Sequence, residues 1–280
     1  MAKILIVGCG AIGSELAKVL STQGHFVTGL KRNPPLSAPD PIRYVAADIG
    51  SLTDLADLDS DFTEAFFIVS PDGSTEQSYR AVYETGLNNL ITRLPDTHWI
   101  IVSSTSVYGQ TQGEWVNENS IAEPGNIASC LIRQAEQRLM ALSPANIVVR
   151  FSGIYGRGRE YLLRQAMQSP AIPQTPPYFT NRIHQQDCVG VLAFLLEQRL
   201  AGKTLAQCYL ASDDDPAPMW EVMTWLADHL HCSPPVIKAV DTNPGMNKRC
   251  SNARLKALGY QFQYPGYKDG YLELIGTLNS

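Results

Sequence analysis

KILIVGCGAIGSELAKVL, residues 3–20, decides the fold. Ile4 to Val7 is a short apolar, β-branched run, GCGAIG follows at residues 8–13, and AIGSELAKVL then repeats apolar residues at helical spacing. A strand passing through a glycine turn into a helix opens a parallel βαβ unit. Gly8 permits the tight turn, Gly10 has no Cβ to keep the backbone from a pyrophosphate, and Gly13 lets the helix pack closely on the strand. Phosphates meet such a helix at its N-terminus, where backbone N–H groups are unpaired. Gly8, Gly10, Ala11, Ile12 and Gly13 are therefore candidate cofactor contacts. The alternative is a turn that uses its glycines for backbone geometry alone.

Outward from this stretch, short β-branched runs alternate with longer helical patterns. The runs are Ile4 to Val7, Phe26 to Leu30, Ile42 to Ala46, Ala65 to Val69, Trp99 to Ser103, and Ile147 to Arg150. Between the fourth and fifth, Tyr79, Val82, Tyr83, Leu87, Leu90 and Ile91 form a 3.6-residue stripe opened by Ser74 and Gln77 as a capping box. A shorter helix is expected from Leu52, Leu55 and Leu58, with Ser51 and Asp54 as its capping pair. Six strands with crossover helices make an α/β, Rossmann-type doubly wound parallel sheet.

After Arg150 the texture changes. SPAIPQTPPYF carries four prolines, which stop regular structure. A helix near Val189 to Leu200, a strand ending at Leu210, a helix near Met219 to His229 and an amphipathic stretch from Ser251 to Gly259 follow. The expected division is a dinucleotide domain over 1–150 plus about 183–204, and a smaller mixed substrate lobe over about 151–182 plus 205–280.

With 280 residues, 44% of them hydrophobic and 18% charged, the chain has enough apolar surface to fold and lies far from the composition of disorder. The net charge of −5 provides no basic field for nucleic acid or anionic lipid. No stretch reaches the roughly 18 apolar residues of a membrane span. The six cysteines are scattered, without C-x-x-C or zinc-ligand spacing. The expectations are a cytoplasmic protein with free thiols, a small-molecule substrate, no nucleic-acid or membrane partner, and no metal. His229, His231 and Cys232 are close in sequence but do not converge as ligands, and Cys9 reads as packing.

A dinucleotide loop of this kind usually has an acidic residue about 20 positions on, bound to the adenosine ribose. This chain has Lys31 and Arg32 there. Two cations would pair with a 2′-phosphate that an aspartate would repel, so NADP is favoured over NAD; solvated loop cations are the alternative. Asp48, after the third strand, either accepts from an adenine amino group or is a surface turn residue. Val69 and Ser70 end the fourth strand at the carboxyl edge, where open α/β sheets place ligands, and Ser103 ends the fifth.

The fifth strand runs into SSTSVYG, residues 103–109. With GCGAIG, RFSGIYGRGR, NRIHQQD and the tail SNARLKALGYQFQYP, the chain resembles the extended short-chain dehydrogenase/reductase superfamily, with its NAD(P)-dependent epimerases and dehydratases, and more closely its atypical YeeZ-like branch. The resemblance covers nearly the whole chain. It implies that Ser104 matches the superfamily's active-site serine or threonine and that His184 and Asp187 lie in the segment returning to the nucleotide domain. A strand-end hydroxyl holding the nicotinamide amide or a neighbouring backbone group is the other reading of Ser104.

One departure from that pattern changes the expected chemistry. The superfamily's Tyr-x-x-x-Lys pair would fall on Ala128 and Ile132, eight and four residues before Glu136, and no lysine occurs from Arg32 through Gly202. The pair supplies a phenol of lowered pKa for proton transfer. Ala128, Leu131, Ile132, Ala135 and Leu139 instead form an apolar stripe.

Substitute donors are Tyr108, Tyr155 and His184, each with packing as the alternative. Tyr155 and Arg150 are candidate substrate contacts, Arg150 having an internal carboxylate partner as the other reading. Asp187 reads as a helix N-cap. Two functions follow. One is an epimerase/dehydratase-like oxidoreductase acting on a small polar, sugar-like or nucleotide-linked substrate in the cleft between lobes, with Ser104 polarising the reacting oxygen. The other is a non-catalytic NADP-binding regulatory or redox-sensing protein.

Overall fold

The computed structural model describes residues 1–35, 42–239 and 245–278. It divides into two compact units: Met1–Val107, Glu123–Arg150 and Val189–Tyr209 form the first, and Tyr108–Ala122, Phe151–Cys188 and Leu210–Ser280 the second.

The central sheet is built on strands β1 (Lys3–Val7), β2 (Phe26–Lys31), β3 (Arg43–Ala46), β4 (Glu64–Phe67), β5 (His98–Ser104), β6 (Ile147–Phe151) and β7 (Cys208–Ala211). Their order in the sheet is β7-β6-β5-β4-β1-β2-β3, a doubly wound order that reverses beside β1. β1 pairs in parallel with β2 and β4, β2 with β3, and β4 with β5. Ile4, Leu5, Ile6 and Val7 are all fully buried, as a strand covered on both faces requires. The seventh strand corrects the expected six. The run ending near Leu210 joins this sheet: Val148 N–H donates to Gln207 O at 2.8 Å and Ser152 N–H to Ala211 O at 3.1 Å, in step along both chains as in a parallel pair.

Helices α1 (Ala11–Thr22), α2 (Glu76–Arg80), α3 (Leu87–Arg93), α4 (Ile127–Leu142) and α5 (Gln185–Leu200) accompany the sheet. The predicted 74–94 helix is present, with two corrections. Its cap is Thr75, whose hydroxyl accepts from Ser78 N–H at 3.2 Å, and a π-turn at Ala81–Gly86 joins α2 to α3. Tyr83, Leu87 and Leu90 are its buried face. A Cβ on Gly86 would lie 2.5 Å from Ile49, so the glycine admits that neighbour.

The predicted helix over residues 52–58 does not form beyond turns. The Ser51–Asp54 cap is made, but Arg93 donates to the carbonyls of Leu55, Ala56 and Leu58, taking acceptors that a helix would use internally.

The second unit has its own apolar core, drawn from Tyr155, Leu163, Val222, Met223, Leu226, Tyr267, Tyr271 and Leu274 among others. Its helices include Met219–His229, as predicted, and Ala253–Leu258, which ends on Gly259 at φ +109°, as a C-terminal glycine cap does. Asn252, not Ser251, precedes that helix at the cap position. A further helix, Tyr267–Leu278, closes the described chain.

Candidate functional site

The glycine turn at the end of β1 separates Gly8 and Gly13, which have no room for a Cβ, from Gly10, which has. Gly8 has φ +94°, donates its N–H to Leu30 O at 3.0 Å, and would place a Cβ 2.4 Å from Ile68 O. At Gly13 a Cβ would be 2.2 Å from Gly8 O, so helix and turn touch only because the side chain is absent. Gly10 is the opposite case: it is exposed, and a Cβ there would meet nothing within 4 Å. Gly10 is also the N-cap of α1, with no side-chain cap bond and no acidic residue in the first helical turn. The N–H groups at Ala11 and Ile12 thus begin a helix with no side chain competing for an anion, while the Ile12 side chain is buried. These features fit a pyrophosphate.

Cys9, between the first two glycines, is buried; its thiol donates to Ile6 O at 3.5 Å, and burial pushes its pKa up to about 11. It packs, as expected. At the end of β2, Lys31 is half-buried, while the exposed Arg32 makes a two-point ion pair with Asp72, its Nη2 donating to Oδ1 at 2.8 Å. Asp48 is exposed in a turn, one carboxylate oxygen accepting from Gly50 N–H at 2.8 Å. Val69 and Ser70 follow β4 at the same carboxyl edge; Val69 O accepts from Tyr83 at 3.5 Å and Ser70 is exposed.

Ser103 is buried, and its hydroxyl donates to Glu136 at 2.5 Å. Arg150 is 3% exposed and grips both oxygens of Glu136 at 2.8 and 2.6 Å, the internal carboxylate that is one of its two readings. Arg133 completes the cluster at 2.8 Å.

Ser104 is half-buried, and its Oγ accepts from Ser106 N–H at 3.1 Å. Ser129, in the first turn of α4, donates its hydroxyl to Ser106 Oγ at 3.0 Å and its N–H to the cap Asn126 at 2.9 Å. Ser106 and Ser129 were missed from the sequence; the Asn126-to-Ser129 spacing is the cap signal that marks them. On α4, Leu131, Ile132, Ala135 and Leu139 are buried and Ala128 half-buried, so the aliphatic stripe is real.

The remaining candidates belong to the second unit and are engaged there. Tyr108 is fully buried, its hydroxyl donating to Asn117 O at 2.8 Å and its carbonyl accepting from the buried Lys248 at 3.1 Å. Tyr155 is 3% exposed and stacks on Tyr271 at 4.6 Å; burial raises its pKa, which disfavours proton transfer, and its hydroxyl has no hydrogen-bond partner among the described residues. His184 lies edge-on to Tyr155 at 5.2 Å and 3.8 Å from the Tyr264 ring, and burial lowers its pKa. Its Nδ1 accepts from Gln186 N–H at 3.4 Å.

Asp187 is not an N-cap. It sits inside the first turn of α5, fully buried, and accepts from Tyr260 Oη at 2.9 Å, Gln263 N–H at 2.8 Å and Tyr264 N–H at 3.0 Å. Among the described residues no His/Cys/Asp/Glu group is arranged to hold a metal, and no helix is long and apolar enough to cross a membrane. His229 bonds Trp225 O, and Cys232 donates to Ala166 O.

Sheet order, glycine turn and helix start together define a Rossmann-type dinucleotide-binding fold. The chain belongs to the NAD-dependent epimerase/dehydratase family. It is 34% identical to a Methylobacillus flagellatus protein assigned as an NAD-dependent epimerase/dehydratase, over 100% of this chain and 99% of that one, with a TM-score of 0.85. Protein YeeZ of Escherichia coli strain K12 is 28% identical over 95% of this chain and 97% of its own length. The fold is shared with the Thermus thermophilus UDP-glucose 4-epimerase, solved in complex with NAD, at 17% identity, 99% coverage of both chains and a TM-score of 0.78. No family model matches the chain.

Proposed function

We propose that this protein binds a nicotinamide dinucleotide across the β1–α1 turn and carries out epimerase/dehydratase-like redox chemistry on a small polar substrate, sugar-like or nucleotide-linked. The observation that carries the reading is the contrast among the glycines: Gly8 and Gly13 have no room for a Cβ, whereas Gly10 has open space where a pyrophosphate would approach. The relatives assigned to NAD-dependent chemistry support the same class of coenzyme. Lys31 and Arg32 support its phosphorylated form.

Bound there, the nicotinamide would supply or accept the hydride. The chain's own part is positional. Gly10, Ala11 and Ile12 hold the phosphates, Val69 and Ser70 border the cofactor, and Ser104 polarises the reacting oxygen with its hydroxyl, which Ser106 N–H orients. Without a tyrosine and lysine on α4, general acid-base help worth about 10²- to 10⁴-fold is missing, so turnover is slow.

A second reading is a dinucleotide-sensing protein without catalysis, favoured by the aliphatic Ala128 and Ile132 and by the packed state of Tyr108, Tyr155 and His184. Calorimetry with NADH and NADPH, followed by reduced-coenzyme oxidation against a carbonyl panel, separates them. Binding with turnover that collapses in Ser104→Ala supports the enzyme. Tight binding without turnover supports the sensor, and no binding of either coenzyme sinks both.

A further inference from the structure

Arg32 follows β2 and Asp72 follows β4, and β1 lies between those two strands in the sheet. All three strands are parallel and end at one edge. Neighbouring strands are about 4.8 Å apart, so the two side chains together span about 10 Å. Their ion pair therefore joins the segments that follow β2 and β4, the two neighbours of β1, at the edge where Gly8 opens the turn. The contact is two-pronged: Nη1 and Nη2 of Arg32 each meet one oxygen of Asp72. That fork is the one an arginine would offer a phosphate. The ammonium of Lys31, next to it, makes no hydrogen bond or ion pair among the described residues.

We propose that Asp72 is a determinant of coenzyme choice: its carboxylate occupies the guanidinium of Arg32 that a 2′-phosphate would need, and so holds down the preference for the phosphorylated dinucleotide. The proposal rests on the dinucleotide reading above. For the phosphorylated coenzyme, Arg32 must leave Asp72, and the carboxylate then stands beside a phosphate of like charge. The unphosphorylated coenzyme leaves the pair intact. Both side chains are more than half exposed, and an exposed pair is weak enough for a doubly charged phosphate to open it, so the effect is on preference and not on access.

The test measures Kd for NADH and NADPH by calorimetry on the full chain, in the unaltered protein, Asp72→Asn and Arg32→Ala. Asp72→Asn is expected to tighten NADPH by about five- to tenfold while leaving NADH within about twofold. Arg32→Ala is expected to weaken NADPH and leave NADH nearly unchanged. Both positions are on the surface, and an unchanged melting temperature checks that the variants fold. An unchanged NADPH-to-NADH ratio in Asp72→Asn overturns the proposal alone. Equal weakening of both coenzymes also overturns it, because the pair would then be a clamp over either one. If the unaltered protein binds neither, the dinucleotide reading falls, and this proposal with it.

Discussion

Arg150 holds both carboxylate oxygens of Glu136 in a pair that water does not reach, with Arg150 3% exposed and Glu136 not at all. Ser103 donates to the same carboxylate, and Arg133 approaches from one helical turn earlier. β6 carries Arg150, α4 carries Glu136 and β5 carries Ser103, so one carboxylate ties two adjacent strands to the helix packed on them. Removing one partner of a buried pair typically costs about 3–5 kcal/mol, and with Ser103 and Arg133 still on the carboxylate the lower end applies here. Arg150→Met should therefore lower stability by about that amount, read from urea unfolding. Replacing Glu136 and Arg150 together by leucine and methionine should recover much of the loss. If Arg150→Met unfolds at the same urea concentration as the parent, the pair has no such role.

The glycine turn makes opposite predictions at positions three residues apart. Gly10→Ala adds a methyl where no atom lies within 4 Å, at a backbone φ of −79° that alanine adopts freely. Stability should hold or rise by about 0.4–1 kcal/mol, because the unfolded chain loses freedom, while affinity for a dinucleotide falls at least tenfold as the methyl fills the phosphate approach. Gly13→Ala forces a Cβ to 2.2 Å from Gly8 O and should cost about 1–3 kcal/mol or more. Thermal melting and calorimetry on the two variants check the split. A Gly10→Ala protein that binds normally would remove the phosphate site from this turn.

How far the sequence reached depends on whether the deciding contact is local. The glycine turn was legible because Gly8, Gly10 and Gly13 act within a few residues of one another, and so was the α4 stripe. The helix expected at 52–58 failed because of Arg93, more than 30 residues away, whose guanidinium takes its carbonyls. The strand Cys208–Ala211 was recognised as a strand, but its hydrogen-bond partner is a tertiary fact that no local pattern encodes. The helix Tyr267–Leu278 escaped notice because Gly270 interrupts its pattern. The glycine is there because a Cβ would lie 2.3 Å from the Tyr155 hydroxyl. Arg150 left two readings open at the sequence level, since nothing local shows that Glu136 faces it.

Asp187 anchors the segment around residues 260–264 through three bonds that a local cap reading did not anticipate. Asp187→Ala removes the acceptor of two backbone N–H groups, each worth about 1–3 kcal/mol if left buried without a partner, while the Tyr260 phenol keeps the carbonyl of residue 187 at 3.2 Å. The expected result is loss of hydrogen-exchange protection at Gln263 and Tyr264, with a smaller effect in Tyr260→Phe, which removes only the phenol. Protection at both amides that survived Asp187→Ala would mean the segment is held by its other contacts.

Asp213 should make stability depend on pH in the direction opposite to most carboxylates. It is 1% exposed, its Oδ2 has no hydrogen-bond partner, and Oδ1 accepts from Asp215 N–H at 3.3 Å. Burial is the main influence, pushing the pKa up to about 8 against the attraction of Arg182, with Asp214 and Asp215 adding like charge. Arg182, although its carbonyl accepts from Asp213 N–H at 2.7 Å, spends its guanidinium on Thr180 and the face of Tyr267. In the unfolded chain an aspartate titrates near 3.9. Between about pH 4 and pH 8 the folded protein thus binds a proton that the unfolded one has released, so stability falls as pH rises through that window. Asp213→Asn, which keeps the neutral shape at every pH, should melt several degrees higher than the parent at pH 8, and the gap should close toward pH 4. The measurement is a melting series of both proteins from pH 4 to 9. Parallel curves would show that Asp213 is already ionised in the folded protein, with its charge met by Arg182 after all.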